Sequence, residues 1–221
     1  MRHAERHAER HADFIRANTR LLPVPLVPEV QLHLAEESLA IWRQTEEELG
    51  RMNVPPPWWA FAWAGGQALA RYVLDNSALA AGRSVLDLGA GSGLAGIAAL
   101  KAGAARVLAA DTDPFAVAAI GLNAAVNRVA MEATDRDLLA APPAPYDLLL
   151  VGDLFYERPL AVRVLAFLEA AWRQGAAVLV GDPRRSYFPN ARFEPVAEYS
   201  VPVTRDLEDM EIKRTAVWRL A

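Results

Sequence analysis

Residues 85–93 read Val85-Leu86-Asp87-Leu88-Gly89-Ala90-Gly91-Ser92-Gly93, a short apolar run that passes directly into a glycine-rich turn. A run of this length is typical of a buried strand, and the apolar residues 93–102 that follow indicate a helix. The glycines let the backbone approach a ligand closely, and the first turn of a helix presents unpaired N–H groups. The stretch therefore predicts an α/β fold that holds a nucleotide-like cofactor at this turn.

Strands and helices continue to alternate on both sides of this stretch. The apolar patterns predict strands at 84–88, 106–110, 129–134, 146–152 and 176–181, with helices at 64–74, 93–102, 114–127 and 158–172. Two β-rich runs, 193–201 and 211–220, close the chain with no helix between them. This order predicts a doubly wound, mostly parallel sheet with helices on both faces and an antiparallel terminal hairpin.

The segment before residue 64 is less regular. Residues 1–20 hold an Arg-His-Ala-Glu repeat, which we interpret as a frayed, solvated helix rather than a metal site, and the domain proper spans 21–221. Three prolines make 21–28 extended, and 29–49 is predicted to be a helix ended by Gly50. The aromatic cluster at 58–63 packs into the core or covers a flat ligand.

Composition excludes several kinds of chemistry. The 221 residues include no Cys, and all four His lie within the first 33 residues, so thiolate, disulfide and most imidazole or metal mechanisms are excluded. Lys and Arg number 23 against 27 Asp and Glu, a net charge of −4 that argues against nucleic acid as a partner. With no membrane-length apolar stretch and no signal peptide, we expect a cytoplasmic protein without a membrane partner, and we favour a monomer.

Two cofactors fit the glycine turn. Gly91-x-Gly93-x-x-Gly96, with Asp111 twenty residues after Gly91, matches a dinucleotide fingerprint and allows an NAD-dependent oxidoreductase. However, Asp87 would repel a diphosphate, whereas it suits the ammonium of S-adenosylmethionine (SAM). The chain also lacks a downstream His or Tyr-x-x-x-Lys pair for hydride chemistry. The pattern favours SAM.

Three stretches, 87–93, 107–114 and 122–127, resemble the successive motifs of the class I, seven-strand SAM-dependent methyltransferases. The resemblance implies a sheet of order 3-2-1-4-5-7-6, counted from its first strand. It also implies that Asp111 takes the ribose hydroxyls and that either Asp135 or Asp137 faces the adenine. Asp87, Gly89, Gly91 and Gly93 would hold the methionine part of SAM.

The reaction class depends on Asp153-Leu-Phe-Tyr156, which follows the predicted strand 146–152. The carboxyl ends of such strands line the ligand crevice, so both side chains should face the methyl donor. The sequence is similar to the Asp/Glu-x-x-Tyr/Phe signature of a subgroup of seven-strand protein lysine methyltransferases. We assign Asp153 to orient the substrate amine or to accept its proton through water, with orientation preferred because a charged carboxylate would hold the proton on the amine. Tyr156 would shape the channel.

Residues 57–75 and 152–156 closely resemble the family of electron transfer flavoprotein β-subunit lysine methyltransferases, and the resemblance covers roughly 21–220. It implies a protein-lysine methyltransferase that modifies that β-subunit. We expect Trp63 to pack over the methionine end of SAM and Gly65, Gly66 and Gln67 to form a loop around it. A methyltransferase of a ribosomal protein or a small-molecule amine, and a non-catalytic SAM-binding module, remain alternatives.

Overall fold

The computed structural model describes residues 2–36, 56–203 and 211–221, with side chains from residue 7 onward. The helices in these ranges are α1 (Arg2–Asn18), α2 (Ala64–Asp75), α3 (Leu94–Lys101), α4 (Pro114–Val126) and α5 (Arg158–Arg173). The strands are β1 (Arg20–Val24), β2 (Val27–Leu34), β3 (Ser84–Leu88), β4 (Arg106–Ala110), β5 (Glu132–Thr134), β6 (Leu148–Gly152), β7 (Ala177–Asp182), β8 (Phe193–Pro202) and β9 (Ile212–Leu220).

The strands after β2 form one seven-stranded sheet in the order β5-β4-β3-β6-β7-β9-β8. Pairs among β3 to β7 are parallel, whereas β9 runs antiparallel to both β7 and β8. The predicted α/β class, strand order and antiparallel end are confirmed. The carboxyl ends of β3, β4 and β6 consequently lie side by side at one edge of the sheet.

Both faces of the sheet are buried, which explains why its central strands read as continuous apolar runs. Alternate residues of β3 and β6 face opposite sides. Val85 and Leu148 pack with side chains of α2 and α3. Leu86 and Leu149 pack with side chains of α5.

The predicted helix at 29–49 is wrong where the structure describes it, and residues 37–50 lie outside the described residues. Residues 27–34 form β2, which pairs antiparallel with β1. Val30, Leu32 and Leu34 are buried at every second position, which is the period of a strand. The outer edge of β2 is completed by α4, because the Asn123 side chain accepts a hydrogen bond from His33 N at 2.8 Å.

The N-terminal repeat is helical, as predicted, but the described end of α1 is not a solvated tail. Ile15 is fully buried, and the rings of His11 and Phe14 contact Phe115 of α4 at centroid distances of 4.2 and 5.3 Å. These apolar contacts pack α1 against the rest of the domain. The helix is therefore not a free segment that ends at the predicted boundary at residue 20. No helix in the described ranges has the length and apolarity needed to span a membrane.

The first turn of α2 packs so closely on the sheet that backbone atoms of the two elements are in contact. A Cβ atom on Gly181 would lie 2.0 Å from the Gly65 carbonyl oxygen, and one on Gly152 would lie 3.1 Å from Gly66 Cα. Only glycine allows so close an approach. The contact places the first turn of α2 directly over the ends of β6 and β7.

Candidate functional site

A cavity of about 490 Å³ opens at the carboxyl edge of the sheet. This volume lies within the usual range for a small-molecule site. The walls come from the aromatic segment before α2, the glycine turn after β3, and the segments that follow β4, β5, β6 and β7. They comprise Trp58, Trp59, Trp63, Leu88, Gly89, Gly91, Ala110, Asp111, Thr112, Asp113, Ala116, Arg136, Asp137, Leu138, Leu139, Gly152, Asp153, Leu154, Tyr156, Leu160 and Arg185.

The glycine turn forms one wall in the predicted manner. Gly89 and Gly91 line the cavity with φ of +64° and +51°, which favour glycine, and Gly93 begins α3 with φ of +80°. The Asp111 carboxylate bridges this wall to the next one, since it accepts hydrogen bonds from Gly91 N at 2.8 Å and from Asp113 N at 3.0 Å. These two hydrogen bonds fix the orientation of the Asp111 carboxylate in the cavity wall.

Asp87 lies elsewhere than the sequence prediction implied. It is 2% exposed and is not among the residues that line the cavity. Its Oδ2 atom accepts a hydrogen bond at 2.8 Å from Gly96 N, inside α3. The Asp87 carboxylate thus links the end of β3 to the first turn of α3, where backbone N–H groups lack partners within the helix.

Asp153 and Tyr156 both reach the cavity from the end of β6. Asp153 has φ of +58°, an uncommon conformation for a residue other than glycine, and its side chain is 10% exposed. Its Oδ2 atom accepts a hydrogen bond from Gly66 N at 3.0 Å, and its Oδ1 atom pairs with Arg185. Tyr156 is 48% exposed at the mouth, where its ring lies 6.4 Å from that of Trp58.

The aromatic segment divides into a buried part and a part that faces the cavity. Trp63 lines the cavity, and its Nε1 donates a hydrogen bond to the Trp58 carbonyl at 2.9 Å. The prediction of a loop at Gly65, Gly66 and Gln67 is wrong, because these residues begin α2. Gln67 is buried, and its amide bonds to backbone atoms of Leu26 and Ala62.

The choice between Asp135 and Asp137 is narrowed by position. Asp137 lines the cavity and Asp135 does not. The Asp137 carboxylate pairs with Arg163 of α5 at 2.5 Å, and it caps the short 3-10 turn at 138–140 through Leu139 N. The assignment of Asp137 to the adenine stays a prediction.

Burial makes several carboxyl groups near the turn hard to ionise. It raises the pKa of Asp87 to about 7 and that of Asp113 to about 6, with a further contribution from Asp111 in both cases. The pKa of Asp111 is raised by the same cause. Of these three residues, Asp111 and Asp113 line the cavity, so a cationic ligand there would stabilise their charged forms, whereas a diphosphate would be repelled by them. The site therefore suits SAM, which carries a sulfonium and an ammonium, better than NAD.

The sequence prediction missed Asp182, the last residue of β7, and Arg185, in the loop that follows it. Arg185 lines the cavity beside Asp153. Asp182 lies behind it and accepts a hydrogen bond from Arg185 N at 2.6 Å. Burial, followed by the nearby Asp153, raises the pKa of Asp182 to about 7. Charged residues directly after a parallel strand were the available signal, because such positions border the crevice.

Comparison with known proteins agrees with this geometry. The family model described as ribosomal protein L11 methyltransferase (PrmA) matches residues 67–150, from α2 to β6. The chain is 36% identical over 211 residues to the electron transfer flavoprotein beta subunit lysine methyltransferase of Xenopus laevis, covering 93% of this chain and 85% of that protein.

Solved structures share the fold at lower identity. The ribosomal protein L11 methylase of Lactobacillus delbrueckii subsp. bulgaricus has a TM-score of 0.52 and 21% identity, over 73% of this chain and 81% of that one. The tRNA (uracil-54, C5)-methyltransferase of Pyrococcus abyssi, solved with S-adenosyl-L-homocysteine, has a TM-score of 0.52 and 16% identity, over 76% and 41% of the two chains. At these identities the match supports the architecture alone.

Proposed function

Because this chain belongs to the family of electron transfer flavoprotein β-subunit lysine methyltransferases, we propose that it transfers methyl groups from SAM to lysine side chains of that β-subunit. One observation supports the assignment to this site: Asp153 and Tyr156 line the same cavity as the glycine turn and Asp111. A cofactor end and an acceptor end therefore share one crevice. A monomeric, cytoplasmic enzyme is part of the proposal.

The residues of the cavity fit SAM. Gly89 and Gly91 leave the backbone exposed to the ligand, Asp111 offers a carboxylate to the ribose hydroxyls, and Trp63 supplies an apolar wall. Asp137, which lines the cavity, would border the adenine. The cofactor would supply an electrophilic methyl group to the neutral substrate amine, with S-adenosylhomocysteine as the leaving group. The protein contributes mainly the alignment of the two reacting groups.

Asp153 is the residue that orients the substrate. Its left-handed backbone and its hydrogen bonds to Gly66 and Arg185 hold the carboxylate in one direction, so an incoming amine meets a preorganised acceptor. Tyr156 and Trp58 form the aromatic mouth of the cavity, which suits the aliphatic stem of a lysine.

The test is incubation of the purified protein with methyl-labelled SAM and purified electron transfer flavoprotein, followed by peptide mass spectrometry. We expect label on lysines of the β-subunit. The Asp153→Ala variant should lose at least about 100-fold in rate while its S-adenosylhomocysteine (SAH) affinity stays near that of the wild type. No labelled β-subunit lysine would refute the proposal, and a fully active variant would remove Asp153 from the mechanism.

A second candidate substrate comes from the match of residues 67–150 to the ribosomal protein L11 methyltransferase model. That match spans β3, β4 and Asp111, the cofactor half of the domain. Purified ribosomal protein L11 belongs in the same assay as a competing substrate. Label on L11 and none on the β-subunit would favour this second function.

A further inference from the structure

Arg185 and Asp153 form a shielded ion pair in the wall of the cavity. The guanidinium donates to Asp153 Oδ1 from Nη2 at 2.8 Å and from Nε at 3.1 Å. Only 18% of the Arg185 side chain and 10% of the Asp153 side chain are exposed. Since both side chains line the cavity, a substrate amine that approaches Asp153 also enters the field of the guanidinium.

The guanidinium is held by contacts other than the ion pair. Its central carbon lies 5.5 Å from the centre of the Trp63 ring, a cation–π distance. The Arg185 backbone N–H donates to Asp182 Oδ1, and Arg184 before it adopts φ of +66°. The loop after β7 therefore fixes the charge in place before any substrate binds.

A lysine must lose a proton before it can accept a methyl group, because its ammonium has no lone pair. The unperturbed pKa of lysine is about 10.4, so the ammonium dominates at neutral pH. A lone carboxylate beside it would raise that pKa further. A guanidinium keeps its charge at all relevant pH values, so it offsets the carboxylate and disfavours a second cation.

We propose that Arg185 is a positioning residue that holds Asp153 and offsets its charge, so that the site admits the substrate lysine as a neutral amine. Asp153 then orients the amine through a hydrogen bond without stabilising its protonated form. This inference rests on the proposed methyltransferase function.

Other titratable and charged groups face this pair from neighbouring elements. They are Asp111 and Asp113 after β4, Arg136 and Asp137 after β5, Tyr156 after β6, and Asp182 at the end of β7. Each of them is retained when Arg185 alone is replaced. A difference between the wild type and an Arg185 variant therefore reports the loss of the guanidinium, including its effect on Asp182, whose pKa Arg185 lowers.

The first experiment compares pH profiles of methyl transfer for the wild type, Arg185→Met and Arg185→Lys. Loss of the charge in Arg185→Met should move the acid limb of kcat to higher pH by about one unit. The kcat of this variant should therefore be about tenfold below that of the wild type near pH 7.5 and should approach it toward pH 9.5. Arg185→Lys, which keeps the charge, should restore most of the profile. A merely structural role predicts an equal loss at every pH.

The matched control is Arg184→Met. This neighbouring arginine lies over the Trp218 ring at 5.1 Å and does not line the cavity. We expect its pH profile to follow that of the wild type. If Arg185→Met fails to fold, Arg185→Gln removes the same charge and is measured in its place.

The second experiment needs no turnover. Calorimetry compares SAH, which has a neutral sulfur, with sinefungin, which carries an ammonium in place of the methylsulfonium of SAM. Arg185→Met removes the guanidinium that offsets the Asp153 charge, so the preference for sinefungin over SAH should rise about tenfold, with no change in Arg184→Met.

The outcomes separate the two proposals. The first case is a wild type that binds both probes and methylates lysine, while Arg185→Met shifts neither the acid limb of kcat nor the preference for sinefungin over SAH. That result would overturn the role of Arg185 and leave the proposed function intact. A wild type that binds neither probe would overturn the proposed function and this inference with it.

Discussion

The closest backbone approach around the site joins α2 to β7, and a single methyl group at Gly181 should disrupt it. A Cβ there would lie 2.0 Å from the Gly65 carbonyl oxygen and 2.8 Å from Leu69 Cβ. The first of these neighbours is a backbone atom, so no side-chain rotation relieves the clash. The helix would have to retreat by roughly 1.4 Å to bring this pair to ordinary van der Waals contact.

We expect Gly181→Ala to destabilise the fold by about 3 kcal/mol, the upper part of the range for overpacked cores. For a domain of this size that loss lowers Tm by roughly 6–12 °C. A retreating α2 also withdraws Gly66 N, which donates to Asp153 Oδ2 at 3.0 Å. Methyl transfer should therefore fall more than about tenfold at temperatures where the variant is still folded, because catalysis is sensitive to misplacement on this scale.

The matched control is Gly121→Ala, in the interior of α4. Gly121 is exposed, and a Cβ on it meets no heavy atom within 4 Å. Alanine is the better helix former, so this variant should gain about 0.5–1 kcal/mol. Thermal unfolding and the labelled-substrate assay measure both variants. If Gly181→Ala melts with the wild type and keeps its rate, the reasoning from close packing is refuted.

Two further predictions concern acids of the cofactor half. Asp111→Ala should weaken SAH binding by calorimetry about 10- to 100-fold, since a charged hydrogen-bond partner is lost; unchanged affinity would contradict the ribose assignment. Asp87 has its pKa raised to about 7 by burial, so the folded apo protein holds a proton there that the unfolded chain releases above about pH 4. Its contribution to stability is therefore full below the unfolded pKa and is lost as pH rises toward 7. In urea unfolding, the free energy of unfolding of Asp87→Asn should exceed that of the wild type at pH 8 by at least about 1 kcal/mol more than it does near pH 4; a difference that is independent of pH would argue against the titration of Asp87.

The cofactor half of the domain was predictable because its signals are local. β3, β4 and β6 are contiguous, mostly apolar runs that are each followed by a helix pattern, and the glycines of the turn lie directly between β3 and α3. Asp111 and Asp153 could be placed on the crevice because each follows a strand of a parallel sheet. The strand order came from the resemblance to known methyltransferases rather than from the pattern itself.

The N-terminal hairpin was misassigned because its stabilising partners are remote in sequence. His33 and Gln31 of β2 donate to the side chains of Asn123 and Asn127 in α4, about 90 residues further on. A short apolar run with no visible partner is ambiguous between strand and helix. The alternation of buried residues in β2 was the local signal that should have decided it.

The sequence by itself determined the class of fold, the glycine turn and the absence of thiol and late imidazole chemistry, because these follow from composition and from neighbours in the chain. The tertiary structure alone decided that the Asp87 carboxylate bonds to α3 and that Arg185 pairs with Asp153. The physical reason is that parallel strands need long crossover connections. Residues 32 positions apart, such as Asp153 and Arg185, meet only when β6 and β7 lie side by side.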